Sequence, residues 1–302
     1  MNNLRGIVLM VLAMAGFAIE DAFIKTLAAN GAGLSVGQIL VVLAIGGTAI
    51  YAGWAIKDGI SLFSREFFHP AVLTRNGTEM LGTWGFVTGI ATIPLATVTT
   101  VLQAAPLLVT MGAALIFGEQ VGWRRWLAIA VGFTGMLLVV RPGVGAFDVN
   151  VLWAVLGVLG LSARDLATRR IPKTIPTLQL SSWGFFVVGL LGVLLLIAKD
   201  NWVAPTAIQW LWLAGAISVG AFAYWAITEA TRVGEISAVA PFRYSRLIFA
   251  LAIGTLIFQE IPDGLTLAGA ALIMGSGIYA FYRERIRKQQ ARLLNPTSTS
   301  GQ

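Results

Sequence analysis

Ten apolar runs, each long enough to cross a lipid bilayer, follow one another along the chain and limit what it can fold into. A helix needs about 20 mostly apolar residues to cross the hydrocarbon core of a bilayer. By that rule, the predicted spans 1 to 10 are residues 4–28, 35–56, 70–89, 92–117, 123–140, 150–170, 177–198, 206–229, 233–258 and 264–283. The runs lack the two-residue alternation of a membrane β-barrel, so the sequence predicts an all-α polytopic membrane protein with ten transmembrane helices.

The low content of charged residues supports this fold class. Of the 302 residues, 57% are hydrophobic and only 12% are charged. Soluble domains carry roughly 25% charged residues, so a globule of this composition would lack the polar groups to cover its surface. The first run carries Glu20 and Asp21 and continues to Ala29, so we interpret it as a span rather than as a cleaved signal peptide.

Several kinds of chemistry are excluded by residue type. The chain has no cysteine and one histidine, His69, so a disulfide framework, a thiolate nucleophile and a multi-histidine zinc site are all ruled out. The sequence also lacks a GxxxxGK[ST] phosphate-binding loop. We therefore expect no enzyme activity and no cofactor. Any transport must be facilitated or driven by a proton or ion gradient.

The basic residues indicate an orientation. With the N-terminus in the cytoplasm, 16 of the 21 Lys and Arg residues lie in cytoplasmic loops and span ends, and three lie on the other side. Such asymmetry predicts that both termini are cytoplasmic, together with a polar tail at residues 284–302 that is disordered at its end. Because the basic residues flank apolar spans, the net charge of +7 does not indicate a nucleic-acid partner.

An internal repeat links the two halves of the chain. IFGEQ at the end of span 4 and in the following turn corresponds to IFQEI at the end of span 9 and in the turn after it, which aligns Glu119 with Glu260. AIEDAFIK at residues 18–25 corresponds to SARDLATR at residues 162–169. Because each copy contains an odd number of spans, five, the second copy must be inverted. The predicted repeats are residues 1–145 and 146–283, an arrangement that places a substrate site near the membrane midplane and allows alternating access.

The repeat resembles the drug/metabolite transporter superfamily, in its ten-helix EamA-like branch. GEQVGWRRWLAIAVGFTGMLLV and QEIPDGLTLAGAALIMGSGI carry this resemblance best, and it covers about residues 4–283. Gln259 departs from the pattern, since it replaces the glycine of the Gly118–Glu119 pair. The resemblance implies an inner-membrane carrier of small organic solutes, with substrate contacts from spans 1, 3, 4, 6, 8 and 9.

Charged side chains inside spans are candidate functional groups, since each costs about 2.5–3.5 kcal/mol to insert. The i, i+4 spacing predicts intrahelical ion pairs between Asp21 and Lys25 and between Asp165 and Arg169. Glu20 is left over. We interpret it either as part of a salt-bridged helix end or as a cavity residue that contacts a cationic or hydrogen-bonding group of the substrate.

Span 3 carries Arg75 and Glu79 at i, i+4, and Arg75 is expected to extend to the cytoplasmic interface. Span 9 carries Arg243 and Arg246 about ten residues from its start. We hypothesise that Glu79 or Glu20 balances Arg243 or Arg246 across the cavity. The alternative is a buried structural ion pair that holds the two repeats together.

The other candidate binding residues are Phe17, Trp84, Gln103, Ser162, Arg164, Trp225 and Tyr244. The alternative role is packing for Phe17, Trp84 and Trp225. It is helix association for Gln103, and topology charge with ion pairs for the span 6 cluster that contains Arg164. Pro106 and Pro241 are expected to bend spans 4 and 9. Glu119 and Glu260 are expected to stabilise turns rather than to bind substrate.

These features predict a secondary carrier that moves a small organic solute by alternating access. A cavity with both Glu and Arg suits an amino acid or similar zwitterion. The aromatic residues suit a flavin, a nucleoside-type metabolite or an S-adenosyl compound about equally well. A non-transporting scaffold is the remaining alternative, which the charges inside the spans argue against. Glu20, Asp21 and Glu79 are the candidate proton carriers for a proton or ion co-substrate.

Overall fold

The computed structural model describes residues 2–28, 33–142, 148–172, 174–198 and 202–294, and all regular structure in these ranges is helical. The α-helices are α1 (Asn3–Ala28), α2 (Val36–Lys57), α3 (Pro70–Thr92), α4 (Leu95–Leu102), α5 (Ala105–Phe117), α6 (Trp123–Val140), α7 (Val151–Thr168), α8 (Thr177–Ala198), α9 (Ala207–Val233), α10 (Ile236–Val239), α11 (Ser245–Leu256) and α12 (Gly264–Leu294). Two 3-10 turns add Arg65–Phe68 and Ala240–Tyr244.

Each predicted span coincides with one helix or with two consecutive helices. Eight of these segments, with α4 and α5 taken together, are long and apolar enough to cross a membrane. The other two are α3 and the segment from α10 to α11. The first carries Arg75, Asn76 and Glu79, and the second is interrupted by a 3-10 turn. The chain is therefore an all-α polytopic membrane protein, as the sequence predicts.

The first part of the polar tail is helical. Helix α12 continues beyond residue 283 to Leu294, so residues 284–294 extend the last helix. Glu, Arg, Lys, Gln, Ala and Leu dominate this stretch, and all of them are strong helix formers. The predicted disorder at residues 295–302 and the predicted repeat boundary at residues 145–146 lie outside the described residues.

Proline accompanies both interrupted segments, as predicted. Pro106 lies in the first turn of α5, after the break that separates α4 from α5 at Gln103. Pro241 lies in the 3-10 turn between α10 and α11. Proline has no N–H to donate and its ring clashes with the preceding turn, so it favours a break at these points. The side-chain amide of Gln103 donates to the carbonyl of Arg243 (3.1 Å), which joins the two breaks.

Helices of the two halves pair in a symmetric pattern. The first helix of each half packs along the third helix of the other half, α1 on α9 and α7 on α3, while α2 packs on α8 and α6 on α12. Glycines allow the close approach. A Cβ added at Gly160 in α7 would lie 2.5 Å from the backbone of Gly82 in α3, and one at Gly16 in α1 would lie 2.9 Å from the side chain of Ala223 in α9.

Ion pairs between helix ends and turns mark the two ends of the bundle. We call the end at which α1 begins the proximal face and the end at which it finishes the distal face. Lys25 meets Glu260 at the distal face, and Arg169 meets Glu119 at the proximal face. These contacts fit a chain that crosses the bundle in alternating directions.

Candidate functional site

Eight ionisable side chains from α1, α3, α7 and the broken ninth segment form a group that we call the interior charge cluster. Its members are Glu20, Asp21, Arg75, Glu79, Arg164, Asp165, Arg243 and Arg246. Four acids and four arginines make the formal charge of the cluster zero. Because a lone charge away from water is costly, the partner of each member decides whether it is structural or available to a ligand.

Arg246 is fully occupied by contacts with other side chains of the protein. Its guanidinium donates to both carboxylate oxygens of Asp21, with Nη2 at 2.9 Å from Oδ1 and 2.7 Å from Oδ2. The rings of Phe17 and Phe86 each lie 5.2 Å from the guanidinium carbon, a distance suited to cation–π attraction. Asp21 is buried, at 1% exposure. This pair fastens α1 to α11.

Both predicted intrahelical pairs in α1 and α7 are wrong. Asp21 pairs with Arg246 instead of Lys25, whose Nζ lies 2.6 Å from Glu260. Arg169 pairs with Glu119 instead of Asp165. An i, i+4 pair contributes only about 0.2–0.5 kcal/mol. A bidentate guanidinium from another helix satisfies the buried carboxylate of Asp21 better, so a tertiary partner replaces the local one in α1. In α7, Asp165 pairs with the adjacent Arg164 instead.

A second network joins α3 to α7. Glu79 forms an ion pair with Arg75 (Nη2 to Oε2, 2.8 Å) and accepts a hydrogen bond from Arg164 Nη1 (2.9 Å), and Arg164 also donates to Asp165 (2.8 Å). The predicted Arg75–Glu79 pair is thus confirmed. The expectation that Arg75 reaches the interface is wrong, since its side chain is buried and donates to the carbonyl of Leu180 (3.3 Å).

The proposed balance between Glu79 or Glu20 and Arg243 or Arg246 is also wrong, since none of these four pairs forms within the described residues. The reason is that Glu79 already has two arginines on α3 and α7, and Arg246 is held by Asp21.

Arg243 is left as a free cation at the edge of the cluster. Its side chain is exposed and makes no ion pair in the described part of the chain. It nevertheless interacts electrostatically with Asp165, Arg164 and Arg246. An exposed guanidinium beside interior charges is one that a ligand can reach.

Glu20 is the counterpart of Arg243 among the acids. It is half-buried, and no ion pair or hydrogen bond of its carboxylate occurs among the residues described. The carboxylate lies against Gly220 of α9, where an added Cβ would be 2.5 Å from Oε1 and 2.9 Å from Oε2. The cluster therefore contains one carboxylate and one guanidinium that the described protein leaves unpaired.

Other predicted candidates lie close to the cluster. Phe17 contacts Arg246, and Gln103 bonds the backbone of Arg243. Ser162 and Tyr244 are buried, and their hydroxyl groups have no hydrogen-bond partner in the described ranges.

The two tryptophan candidates are placed differently. Trp84 packs against Trp153, with ring centroids 5.2 Å apart. Trp225 is 40% exposed and contacts Phe222 on the side of α9 that faces away from Ala223 and α1. The structure does not bring Trp225 to the cluster.

An aromatic group that the sequence reasoning largely missed lies on α2, α8 and α9. Tyr224 bonds Ser181 (2.9 Å) and meets the ring of Tyr51 edge-on at 5.1 Å. Tyr51 stacks on Phe185 at 5.5 Å and interacts electrostatically with Glu20. Tyr224 follows Gly220 by one helical turn, so an i, i+4 relation was visible in the sequence, but the role of Gly220 was not.

The two turn glutamates do more than stabilise turns. Glu260 forms an ion pair with Lys25 (Nζ to Oε1, 2.6 Å) and accepts a hydrogen bond from the backbone N–H of Leu95 (2.9 Å), and Lys25 donates to the carbonyl of Ile93 (2.9 Å). These bonds tie α1, α4 and the loop after α11 at the distal face. At the proximal face, Glu119 accepts from Arg169 Nη1 (2.8 Å).

Comparison with known proteins gives consistent results. Residues 149–282 match the EamA-like transporter family. An S-adenosylmethionine uptake transporter of Rickettsia prowazekii is 26% identical over 74% of each chain. A riboflavin transporter of Vibrio cholerae is 30% identical over 63% of this chain and 64% of its own length. A pseudopaline exporter of Pseudomonas aeruginosa is 26% identical over 89% of this chain and 93% of its own.

A solved crystal structure has the same fold, with a TM-score of 0.63 at 20% identity over 94% of this chain and 98% of the other. The relatives are transporters of small metabolites, and the helices of this chain are those of a multi-pass membrane protein. The chain is thus a small-metabolite transporter rather than an enzyme, and its second half is similar to the EamA-like transporter family.

Proposed function

We propose that the protein is a secondary carrier of the inner membrane that moves a zwitterionic organic solute by alternating access, with both termini in the cytoplasm. In this proposal the two halves are inverted repeats and the proximal face is cytoplasmic. The observation that carries the mechanism is a pair of equivalent ion pairs at opposite faces of the bundle.

The equivalence follows from the sequence repeat. Lys25 corresponds to Arg169 and Glu260 corresponds to Glu119. Each basic residue lies near the end of the first helix of its half and pairs with the turn glutamate of the other half. The same contact is therefore made once at each face. Two gates related by an inverted repeat would have this arrangement.

The two pairs differ in exposure, which supports a transport cycle with unequal end states. At the distal face the Lys25 and Glu260 side chains are 11% and 21% exposed and make further backbone hydrogen bonds. At the proximal face the Arg169 and Glu119 side chains are 45% and 53% exposed. An exposed pair contributes about 0–1 kcal/mol, whereas a shielded pair is less screened. We infer a conformer that is sealed at the distal face and weakly closed at the proximal face.

The free guanidinium of Arg243 supports the proposal that the solute carries an anionic group. Its fork of N–H donors matches a carboxylate in a bidentate arrangement, and no described acid occupies it. An amino acid or similar zwitterion therefore suits the site. A flavin or an S-adenosyl compound is the second candidate, because two of the relatives are named for riboflavin and S-adenosylmethionine.

The test is counterflow in liposomes that contain the purified full-length protein. Labelled methionine, S-adenosylmethionine and riboflavin form the panel, and saturable exchange of at least one is expected. Gradients of pH and sodium, imposed in turn, test a proton or ion co-substrate. Folded protein that exchanges none of the three in a saturable way would contradict the proposal as stated.

Arg243→Ala is expected to weaken apparent affinity for a carboxylate-bearing solute by roughly 10–100-fold, since a hydrogen bond to a charged group contributes about 1.5–3 kcal/mol. Arg243→Lys retains the charge and is expected to lose less. Riboflavin has no carboxylate, so its exchange should change little in either variant. Equal losses for all solutes would instead indicate a structural role for Arg243.

A further inference from the structure

The contact between α1 and α9 has the same register as the contact between α7 and α3. A Cβ added at Gly160 would meet Gly82 and the carbonyl of Thr78, while one added at Gly16 would meet Ala223 and the carbonyl of Val219. Gly82 and Ala223 each lie four residues after their partner carbonyl. The two crossings therefore share one register, in which Gly160 corresponds to Gly16.

This register aligns two pairs of positions at which the residue types of the two crossings differ. Four residues after the glycines lie Arg164 in α7 and Glu20 in α1. Three residues before the residues they touch lie Glu79 in α3 and Gly220 in α9. The position of the arginine is thus taken by a glutamate, and the position of its acidic partner is taken by a glycine.

In the crossing of α7 and α3, both aligned positions carry side chains of the protein, and these pair with each other. Arg164 Nη1 lies 2.9 Å from Glu79 Oε1, and this bond bridges α7 and α3. In the second crossing the carboxylate of Glu20 faces Gly220, which has no side chain to pair with it. The three atoms nearest an added Cβ at Gly220 all belong to the Glu20 carboxyl group. The carboxyl group thus occupies the space that a side chain at position 220 would fill, while Glu20 stays half-buried. We call this carboxyl group and the side of it that Gly220 leaves uncovered the Glu20–Gly220 recess.

The surroundings of the recess are suited to a positive charge. Asp21 and Arg246, which also interact with Glu20, are paired with each other and so leave its carboxylate without a counter-ion among the described residues. The ring of Tyr224 lies one turn after Gly220, and the ring of Tyr51 meets it edge-on. Aromatic faces attract organic cations, most strongly where water is excluded.

We propose that the Glu20–Gly220 recess binds the cationic group of the transported solute, an ammonium or sulfonium, in the place where the equivalent crossing carries a protein side chain. That the bound solute is transported rests on the proposed function. That the recess binds a cation rests on the geometry alone. An unpaired carboxylate inside a bundle is costly, so a bound cation offsets that cost.

A binding assay tests the recess without any transport. The melting temperature of the purified full-length protein in detergent is titrated with choline, with trimethylsulfonium and with 3,3-dimethylbutan-1-ol, the uncharged isostere of choline. The two cations are expected to raise the melting temperature, and the alcohol is not. Comparison of the melting-temperature shifts produced by the two cations shows whether the recess prefers an ammonium or a sulfonium group.

Glu20→Gln is expected to weaken cation binding at least tenfold, while Glu20→Asp, which retains the charge, should lose less. The inference is overturned if wild-type protein gives no cation response, if the alcohol matches choline, or if Glu20→Gln responds as the wild type does.

A second variant keeps the inference falsifiable if single changes fail to fold. The double change Glu20→Arg with Gly220→Glu copies the Arg164–Glu79 pair into the recess. We expect it to melt within a few degrees of wild type, to be more stable than Gly220→Glu alone, and to lose the cation response. A double variant less stable than both single variants would show that the two crossings are not equivalent.

Counterflow separates the two claims. Cation binding that depends on Glu20 in a protein that exchanges no solute would leave the inference standing and remove the carrier proposal. Saturable exchange that is unchanged by Glu20→Gln, in a protein without a cation response, would remove the inference alone.

Discussion

A single buried ion pair illustrates how residue-level chemistry holds the interior together. Arg246 contacts Asp21 with two nitrogens and lies between two aromatic rings, so the hydrogen-bonding and electrostatic needs of both groups are met. Breaking such a pair leaves an uncompensated buried charge, which costs more than the intact pair contributes. Arg243, three residues earlier, has no such partner in the described chain. Two arginines on one segment thus have different roles.

Asp21→Ala is expected to destabilise the protein by about 3–5 kcal/mol, because Arg246 would remain as a lone interior charge. Thermal unfolding in detergent measures the effect. Arg243→Ala is the matched control, and we expect a change within about 0.5 kcal/mol because no described partner is lost. Equal destabilisation by the two variants would contradict the distinction between these arginines.

At the scale of the element, glycine determines how closely helices approach. The backbones of α3 and α7 touch where Gly82 meets Gly160 and Leu161, and the network of Glu79 and Arg164 lies one turn away. This close approach sets the positions of the charged side chains. The pairing of α1 with α9 uses Gly16 in the same way, so the register of both crossings depends on residues without charge.

Gly82→Ala is expected to cost about 1–3 kcal/mol, because the new Cβ would lie 2.6 Å from the backbone nitrogen of Leu161 and would force α3 and α7 apart. Gly77→Ala in the same helix is the control. No atom lies within 4 Å of a Cβ added there, so its effect is expected to be neutral or stabilising. Comparable unfolding temperatures for the two variants would refute the close-packing argument.

At the scale of the whole molecule, the two halves make equivalent ion pairs at opposite faces. Lys25 with Glu260 is shielded, and Arg169 with Glu119 is exposed. Since the pairs are made between halves, any motion that separates the halves at one face breaks one pair and can leave the other intact.

Lys25→Met is expected to open the distal face and to increase labelling of an interior cysteine by a membrane-impermeant maleimide added on that side. The native chain has no cysteine, so Ser162→Cys provides a single reporter. Arg169→Met should change proximal labelling less, because its pair is already exposed.

The charge exchange Lys25→Glu with Glu260→Lys should restore low distal labelling. Unchanged distal labelling in Lys25→Met would show that this pair is not a gate.

The sequence by itself determined the features that depend on local composition. Runs of apolar residues located the helices, prolines marked the two breaks, and charges inside spans identified most members of the interior cluster, including Glu20 and Arg243. These predictions succeed because a bilayer requires every crossing segment to satisfy its own backbone and to be apolar over a fixed length. The internal repeat, and the family that it resembles, predicted a carrier of small organic solutes.

The tertiary structure alone decided which charge pairs with which. Spacing along a helix offers Lys25 to Asp21, yet Asp21 takes Arg246 from a segment more than 200 residues away, and Lys25 takes Glu260. A buried carboxylate selects the partner that supplies the most hydrogen bonds, and that partner is known only once the helices are packed. The same holds for Gly220, whose missing side chain acquires meaning only where Glu20 is packed against it.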